Sequence, residues 1–422
     1  MKRSLLKAII LEQQTLGLVK HNVQRLLLIR SETLIKTENI VIITGIRRCG
    51  KSTLLQYFRK LHKENHYYLN FDDERLLDFV IGDFQMMMEI FIELFNEESV
   101  CYFDEIQNIY GWERFVRRLY DQGYKIFITG SNAKMLSQEM GTHLTGRHIK
   151  LELYPFSFQE FATFKKLDID TNNVTTVKKV KLNKLIEEYV EIGGFPQYIK
   201  EEIIEYLQSL YENILYKDII VRYKLPSEHA IKQLAFHFAS NIGKEITYNA
   251  LRKLLQLGST NTISDYCQYF ENCYLFFLVK RFNYSLKVQS ASPKKVYAID
   301  TGMARAIGFR SSHDNGRMLE NIVFIELKRR NFEVYYHREK KECDFVVCKQ
   351  NQIKYLIQVC YDLTEDDTKH RELAGLLDAM QSYQLDHGLI INLSESDSFD
   401  LKEKDKQYHI HVTPIWEWLS EE

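Results

Sequence analysis

The sequence predicts an α/β protein whose first domain is built around a phosphate-binding loop, with helical and further α/β segments behind it. Three stretches carry that prediction. The first is Gly45-Ile46-Arg47-Arg48-Cys49-Gly50-Lys51-Ser52, which fits G-x-x-x-x-G-K-[ST]. It lies between an apolar β-branched run at 40–44 and a helical pattern from Thr53 onward, so it reads strand, glycine loop, helix. The second is Val100-Cys101-Tyr102-Phe103 closed by two acids, Asp104 and Glu105, a Walker B strand. The third is the run 125–128 that ends in Thr129-Gly130-Ser131-Asn132, a buried parallel strand with a polar tip.

Each stretch has a chemical reading. Glycines let the loop turn tightly, so successive N–H groups point inward at an anion, and the following helix aims its positive dipole end at the same place. Gly45, Ile46, Arg47, Arg48, Cys49, Gly50, Lys51, Ser52 and Thr53 are therefore the expected cradle for ATP, with Lys51 reaching the terminal phosphates. A glycine turn beside a surface lysine would leave the spacing unexplained. Ser52 and Asp104 are the expected Mg²⁺ ligands, and Glu105 the group that orients and activates water. At the tip of the third strand, Asn132 or Ser131 is the candidate contact to the γ-phosphate; either also suits a helix N-cap. Arg147, in Leu144-Thr145-Gly146-Arg147, is a candidate for offsetting transition-state charge, in cis or on a neighbouring subunit, or else a structural ion pair. Arg47 and Arg48 are read as facing a partner or an acidic neighbour. Asp72-Asp73-Glu74, after a strand at 67–71, is read first as a helix cap.

Composition narrows the class. With 422 residues, 45% of them hydrophobic, the chain has material for several cores. The formal net charge of −1 excludes a globally basic nucleic-acid binder, so any such contact must use a local patch. The seven cysteines are scattered without a CxxC, which points to free thiols in a reducing cytoplasm. Lys7 interrupts the short apolar run near the N-terminus and no cleavage site follows, so no signal peptide is expected. Nor does any stretch of about 18 apolar residues suggest a membrane span.

Several motifs stand together in order: the loop at 45–52, Asp104-Glu105-Ile106-Gln107-Asn108, Thr129-Gly130-Ser131-Asn132, Leu144 to Arg147 and Pro155-Phe156 to Phe161. Further on come Gly193-Gly194-Phe195-Pro196, Tyr216-Lys217-Asp218, Tyr297 to Gly302, Leu319-Glu320-Asn321 and Glu342-Cys343-Asp344-Phe345. In these the chain resembles, over nearly its whole length, a large family of prokaryotic AAA-type ATPases with a C-terminal domain of unknown function. The resemblance implies an AAA-type core related to archaeal replication-initiator ATPases. It also implies a helical lid in which a basic residue contacts ATP.

The expected domains are the P-loop AAA-type core at 1–160, the helical lid at 161–227, a winged helix at 228–295 and an α/β domain at 296–422. Residues 1–36 read as amphipathic helix. In the lid, Asp218 and Arg222 are spaced for a surface ion pair. Three helical stretches followed by apolar strands suggest helix–turn–helix plus wing. The helix from 260 lacks Lys and Arg near its start, but 280–295 holds five basic residues and no acid, a candidate DNA contact. A packing or protein-partner module is an equal reading. In the tail, Glu320 on a helix and Asp344 on a strand fit the first two metal-binding places of a restriction-endonuclease-like nuclease. The third place reads Gln358-Val359-Cys360, without its acid or lysine, so a nuclease-like fold that has lost cleavage is expected.

The expected activity is ATP hydrolysis driving a conformational switch, with ATP and Mg²⁺ bound and DNA or a protein as partner. An ATP-gated DNA nuclease and a DNA- or protein-binding scaffold with a regulatory ATPase are the alternatives. A neighbouring-subunit role for Arg147 would require an oligomer.

Overall fold

A computed structural model describes residues 1–15, 23–61, 66–131, 144, 146–169, 174–309, 315–403 and 406–421. By packing, the chain divides into two compact units. One comprises 1–154 with 272–274, the other 155–271 with 275–422.

The first unit contains a five-stranded sheet of β1 (Ile40–Thr44), β2 (Tyr67–Asn70), β3 (Val100–Asp104), β4 (Lys125–Gly130) and β5 (His148–Glu152). Its order is β2-β3-β4-β1-β5 and every pairing is parallel. A parallel sheet covered on both faces needs strands that are apolar throughout, and Ile-Val-Ile-Ile-Thr in β1 is buried at all five positions. Helices Lys51–Leu61, Asp83–Phe95 and Trp112–Asp121 supply apolar faces; Phe84 and Phe115 stack at 4.1 Å between ring centroids. Because β4 lies between β1 and β3, with Thr44 opposite Gly130 and Phe103 opposite Ile128, the chain leaves all three strands at the same sheet edge. The amphipathic helix expected over 1–36 is instead a helix at Arg3–Thr15, a 3₁₀ turn at Leu26–Arg30 and a short helix at Ser31–Lys36.

The second unit begins with helices. Phe158–Phe164 opens with a capping box between Ser157 and Glu160. Thr176–Ile192, Pro196–Glu201 and Ile204–Asn213 follow, and Ile214–Val221 is π-helical. The Asp218–Arg222 pair exists at 3.5 Å, but Asp218 is buried, which corrects the surface reading. Helices His229–Ala239, Tyr248–Leu254 and Thr260–Asn272 lead to an antiparallel sheet of order β6-β8-β7: β6 Glu245–Ile246, β7 Phe276–Lys280 and β8 Lys294–Ala298. The connection between β7 and β8 is not an open wing; it folds as the helix Leu286–Ala291.

Helix Asn315–Arg329 follows, then β9 (Glu333–Arg338), β10 (Glu342–Lys349), β11 (Gln352–Val359), helix Asp366–Tyr383, β12 (His387–Asn392), β13 (Asp397–Glu403) and β14 (Lys406–Pro414). These strands form one sheet of order β13-β14-β12-β11-β10-β9. Two of the shared motifs are a structural joint. Asp300 caps helix Thr301–Ile307 and accepts from Gly194 N at 2.6 Å, while a Cβ on Gly193 would stand 2.3 Å from the Asp300 carboxylate. Only glycine allows that approach.

All seven cysteines are buried free thiols. Among the described residues no helix is long and apolar enough to cross a membrane.

Candidate functional site

The loop after β1 is held by its own backbone and by a side chain from the N-terminal segment. Gly45, Arg48 and Gly50 have φ of +149°, +63° and +104°. A Cβ on Gly45 would lie 2.1 Å from the Leu153 carbonyl oxygen, so no other residue fits there. Arg25 is buried and clamps the loop: Nη1 donates to the Cys49 carbonyl at 2.7 Å and Nη2 to the Tyr154 carbonyl at 2.6 Å. Cys49 is packed against the Leu153 carbonyl at 3.3 Å, and burial pushes its thiol up, so it is an inert part of the loop.

Lys51 begins the helix and is almost wholly covered, its side chain 3% exposed. Its Nζ lies 3.2 Å from the Ile46 carbonyl oxygen and 3.4 Å from Glu105 Oε1. Burial, the largest influence, would lower the Lys51 pKa, but Glu105, Cys49 and Asp104 together outweigh it and hold it above its ordinary value. Ser52 is exposed beside it, near enough to the buried Asp104 carboxyl to lower its pKa. Burial first, then the Glu105 charge, push Asp104 up to about 6. Two hard oxygen donors at one sheet edge, a hydroxyl and a carboxyl, fit Mg²⁺.

Thr129, on β4 between the two signature strands, joins the parts. Its hydroxyl donates to Asp104 Oδ1 and accepts from Glu105 N at 2.9 Å. Glu105 has a left-handed backbone, φ +50°, and its Oε2 accepts from Gln107 Nε2 at 2.5 Å. Burial would raise the Glu105 pKa, yet Lys51, Gln107 and Arg47 together hold it below the usual carboxylate value. Ser131 follows at the tip of β4, level with the loop; its hydroxyl is buried and has no hydrogen-bond partner among the described residues. Asn132 lies outside the described residues.

Thus Lys51, Ser52, Asp104, Glu105 and Ser131 share one sheet edge. Arg147 does not join them. The β1–β5 register sets Ile40 opposite His148 and Thr44 opposite Glu152, so Arg147 lies at the far edge, where it pairs with Asp121 at 2.9 Å. That corrects the cis reading of this arginine. Arg25, Thr129 and Gln107 were missed in the sequence. Only Gln107, two residues past the paired acids, carried a local signal.

In the second unit the structure brings Glu320, Asp344 and Gln358 together and adds a lysine. Lys295, on β8 and 1% exposed, lies 2.9 Å from Glu320 Oε1 and 2.8 Å from each of Glu342 Oε1 and Asp344 Oδ1. Tyr297 donates to Glu320 Oε1 at 2.5 Å. Asp344 Oδ2 accepts from Val359 N at 3.0 Å, and Gln358 donates to Glu372, which Arg371 also holds. The lysine missing from the strand motif is therefore present in space, supplied from another sheet. It stands at the centre of the acids, and among the described residues no group of three His, Cys, Asp or Glu is arranged to hold a metal. The basic stretch at 280–295 is largely consumed by packing. Lys295 is in this network, Lys294 donates to the Ser290 and Ser292 carbonyls, and Arg281 faces Glu339 at 4.0 Å. Lys280 and Lys287 are exposed.

Residues 37–162 match the AAA domain, residues 183–313 a domain of unknown function (DUF8612) and residues 315–418 another (DUF4143). The chain is 36% identical over 399 residues to the uncharacterized protein MJ1544 of Methanocaldococcus jannaschii, spanning 90% of this chain and 88% of that one. To an uncharacterized Haemophilus influenzae protein it is 33% identical over 364 residues, spanning 81% and 87%. Among solved structures it is similar to the Walker-type ATPase paby2304 of Pyrococcus abyssi, with 15% identity and a TM-score of 0.42, covering 66% of this chain and 93% of that one. The Thermotoga maritima RuvB Holliday junction branch migration motor gives 14% identity and a TM-score of 0.31, covering 65% and 93%.

Two outcomes follow from this geometry. Arg25→Ala leaves two buried carbonyls without their donor and should weaken ATP binding about tenfold, equivalent to ~1.4 kcal/mol, in a fluorescent-nucleotide titration; unchanged affinity would contradict the clamp. Lys295→Met should cost the second unit about 3–5 kcal/mol in denaturant unfolding, since it strands buried carboxylates. The same network sets a pH dependence. Burial first, then Asp344, raise Glu320 to about 7 against the pull of Lys295. The folded state thus binds this proton more tightly than the unfolded chain does, where the pKa is about 4.3. Stability from this group is complete below that value and is lost as pH rises through about 7. Glu320→Gln should flatten the slope of stability across that window.

Proposed function

We propose that this chain, which belongs to the same family as MJ1544 of Methanocaldococcus jannaschii and carries an AAA-type P-loop ATPase domain, binds ATP with Mg²⁺ and hydrolyses it to ADP and phosphate. The observation that carries the reading is the convergence of Lys51, Ser52, Asp104 and Glu105 at one edge of a parallel sheet, beside a glycine loop that opens a helix. Residues 45–53 bind the phosphates through backbone N–H groups and the helix dipole. Ser52 and Asp104 would hold Mg²⁺, which neutralises charge on the phosphate oxygens. Lys51 leaves Glu105 for the stronger charge of the terminal phosphates. Glu105, kept ionised at neutral pH, then takes a proton from water. Ser131, whose buried hydroxyl has no hydrogen-bond partner among the described residues, is the described residue at the β4 tip suited to sense the γ-phosphate.

Turnover serves a conformational switch whose output is the second unit, which contains no second P-loop. The helices and small antiparallel sheet of 229–298 support a winged-helix-type module used for packing or for a protein partner. DNA cleavage is not part of the proposal, because Lys295 occupies the centre of the acid cluster. DNA binding through 280–295 is left aside too, because that stretch spends most of its charge internally.

Glu105→Gln keeps the size of the side chain and removes its basicity. It should retain ATP binding and lower phosphate release by about a hundredfold or more. Phosphate release at the wild-type rate would refute the assignment of Glu105.

A further inference from the structure

We propose that Gln107 is a positioning residue of the hydrolytic step: its amide nitrogen fixes one oxygen of the Glu105 carboxylate, and its amide oxygen accepts from the attacking water. The inference rests on the ATPase reading above and adds to it a residue that aims the base.

Gln107 lies in the 3₁₀ turn Ile106–Asn108 directly after β3, and it is 4% exposed. The left-handed backbone of Glu105 turns the chain at the strand end. That conformation is disfavoured for a residue with a Cβ. Here it is held by Glu105 N on the Thr129 hydroxyl and by Asn108 N on the Glu105 carbonyl at 3.1 Å. One result is that two side chains two residues apart meet at 2.5 Å. The orientation of the amide follows from chemistry: with the amide reversed, its oxygen would face a carboxylate oxygen with no hydrogen between them.

In the described state both Glu105 oxygens are engaged, Oε1 by Lys51 and Oε2 by Gln107. A carboxylate oxygen that faces an ammonium group is a weaker base toward water. When Lys51 turns to the phosphates, Oε1 is released while Oε2 stays on Gln107, so the hydrogen bond from Gln107 sets the direction of the base. Its other end is the second observation. Gln107 Oε1 is buried and has no hydrogen-bond partner among the described residues. Buried acceptors are almost always satisfied, and an orphan beside a reaction centre calls for a guest donor. A water held between Gln107 Oε1 and Glu105 Oε1 answers it. In the step itself, the water oxygen bonds to the γ-phosphorus and one water proton passes to Glu105. The bond from that phosphorus to the bridging oxygen breaks, and its electron pair leaves with ADP. Positioning a nucleophile and its base raises the rate without tightening ground-state binding.

The test uses Gln107→Met, which keeps length and volume but loses donor and acceptor. Phosphate release should fall about tenfold to a hundredfold in kcat, with KM for ATP within about twofold of wild type. Binding of ADP with aluminium fluoride, a mimic of the phosphoryl group in flight, should weaken by the same factor, while ATPγS binds as before. Gln107→Glu, with the same shape and a carboxylate beside Glu105, should show the same pattern, and it serves if the methionine variant does not fold. Wild-type kcat in either variant overturns the inference, as does an equal loss of ATPγS and aluminium-fluoride binding, which marks a structural role. Glu105→Gln is assayed alongside. If it is fully active, the reading of Glu105 fails; if it is inactive while Gln107→Met turns over normally, only the role of Gln107 fails.

Discussion

The contact between Lys51 and Glu105 is the constraint on which the first unit depends. It joins the lysine that follows the glycine loop to Glu105, the first residue after β3, although a third strand separates β1 from β3. Burying both charges is costly, and neither would keep its charge alone. Their pairing permits a lysine and a carboxylate to remain ionised inside an apolar sheet edge. Thr129 makes the arrangement possible from the intervening strand by binding one acid through its hydroxyl hydrogen and the next residue's amide through its oxygen. An anion arriving at the loop competes with Glu105 for Lys51. The resting ion pair is therefore also what lets phosphate binding change the state of the base.

The second unit uses buried charge differently. Lys295 gathers Glu320, Glu342 and Asp344 on one amine, and Asn321 brackets Ala298 with bonds of 2.8 and 3.0 Å. Helix Asn315–Arg329 and strands β8 and β10 are thereby tied together by polar contacts with defined directions. Such a network fixes register more than it adds net stability, because desolvation offsets most of the Coulombic gain. The Leu-Glu-Asn motif, which invites a metal-binding reading, is accounted for side chain by side chain: Leu319 in the core, Glu320 on Lys295 and Tyr297, Asn321 on the β8 backbone.

What was legible in the sequence was local. The loop, its strand and its helix lie within one short window, and Asp104-Glu105 ends an apolar run, so period and punctuation suffice to find them. The helices and most strands of the second unit were legible for the same reason. The rest depends on pairing between distant segments. Arg25 meets the loop by way of an N-terminal segment whose break into three pieces no periodicity shows. Lys295 reads as one of five basic residues in a surface patch, and only the pairing of β8 with its neighbours turns it inward. Arg147 follows the site motifs closely in sequence, but β5 runs parallel to β1 and so starts at the opposite edge of the sheet. Asp218 and Arg222 have helical spacing, but the segment Ile214–Val221 is π-helical and Asp218 is buried within it.

If residues 45–53, with Lys51 and Asp104, form a nucleotide site, binding should depend on the Lys51 amine. Isothermal titration of Mg·ATP into the full chain, wild type beside Lys51→Ala, tests it most directly. One nucleotide should bind per wild-type chain, with saturation below about 1 mM, and the variant should give no comparable heat. Absence of binding by the wild-type protein well above that concentration, or equal binding by both proteins, would contradict it.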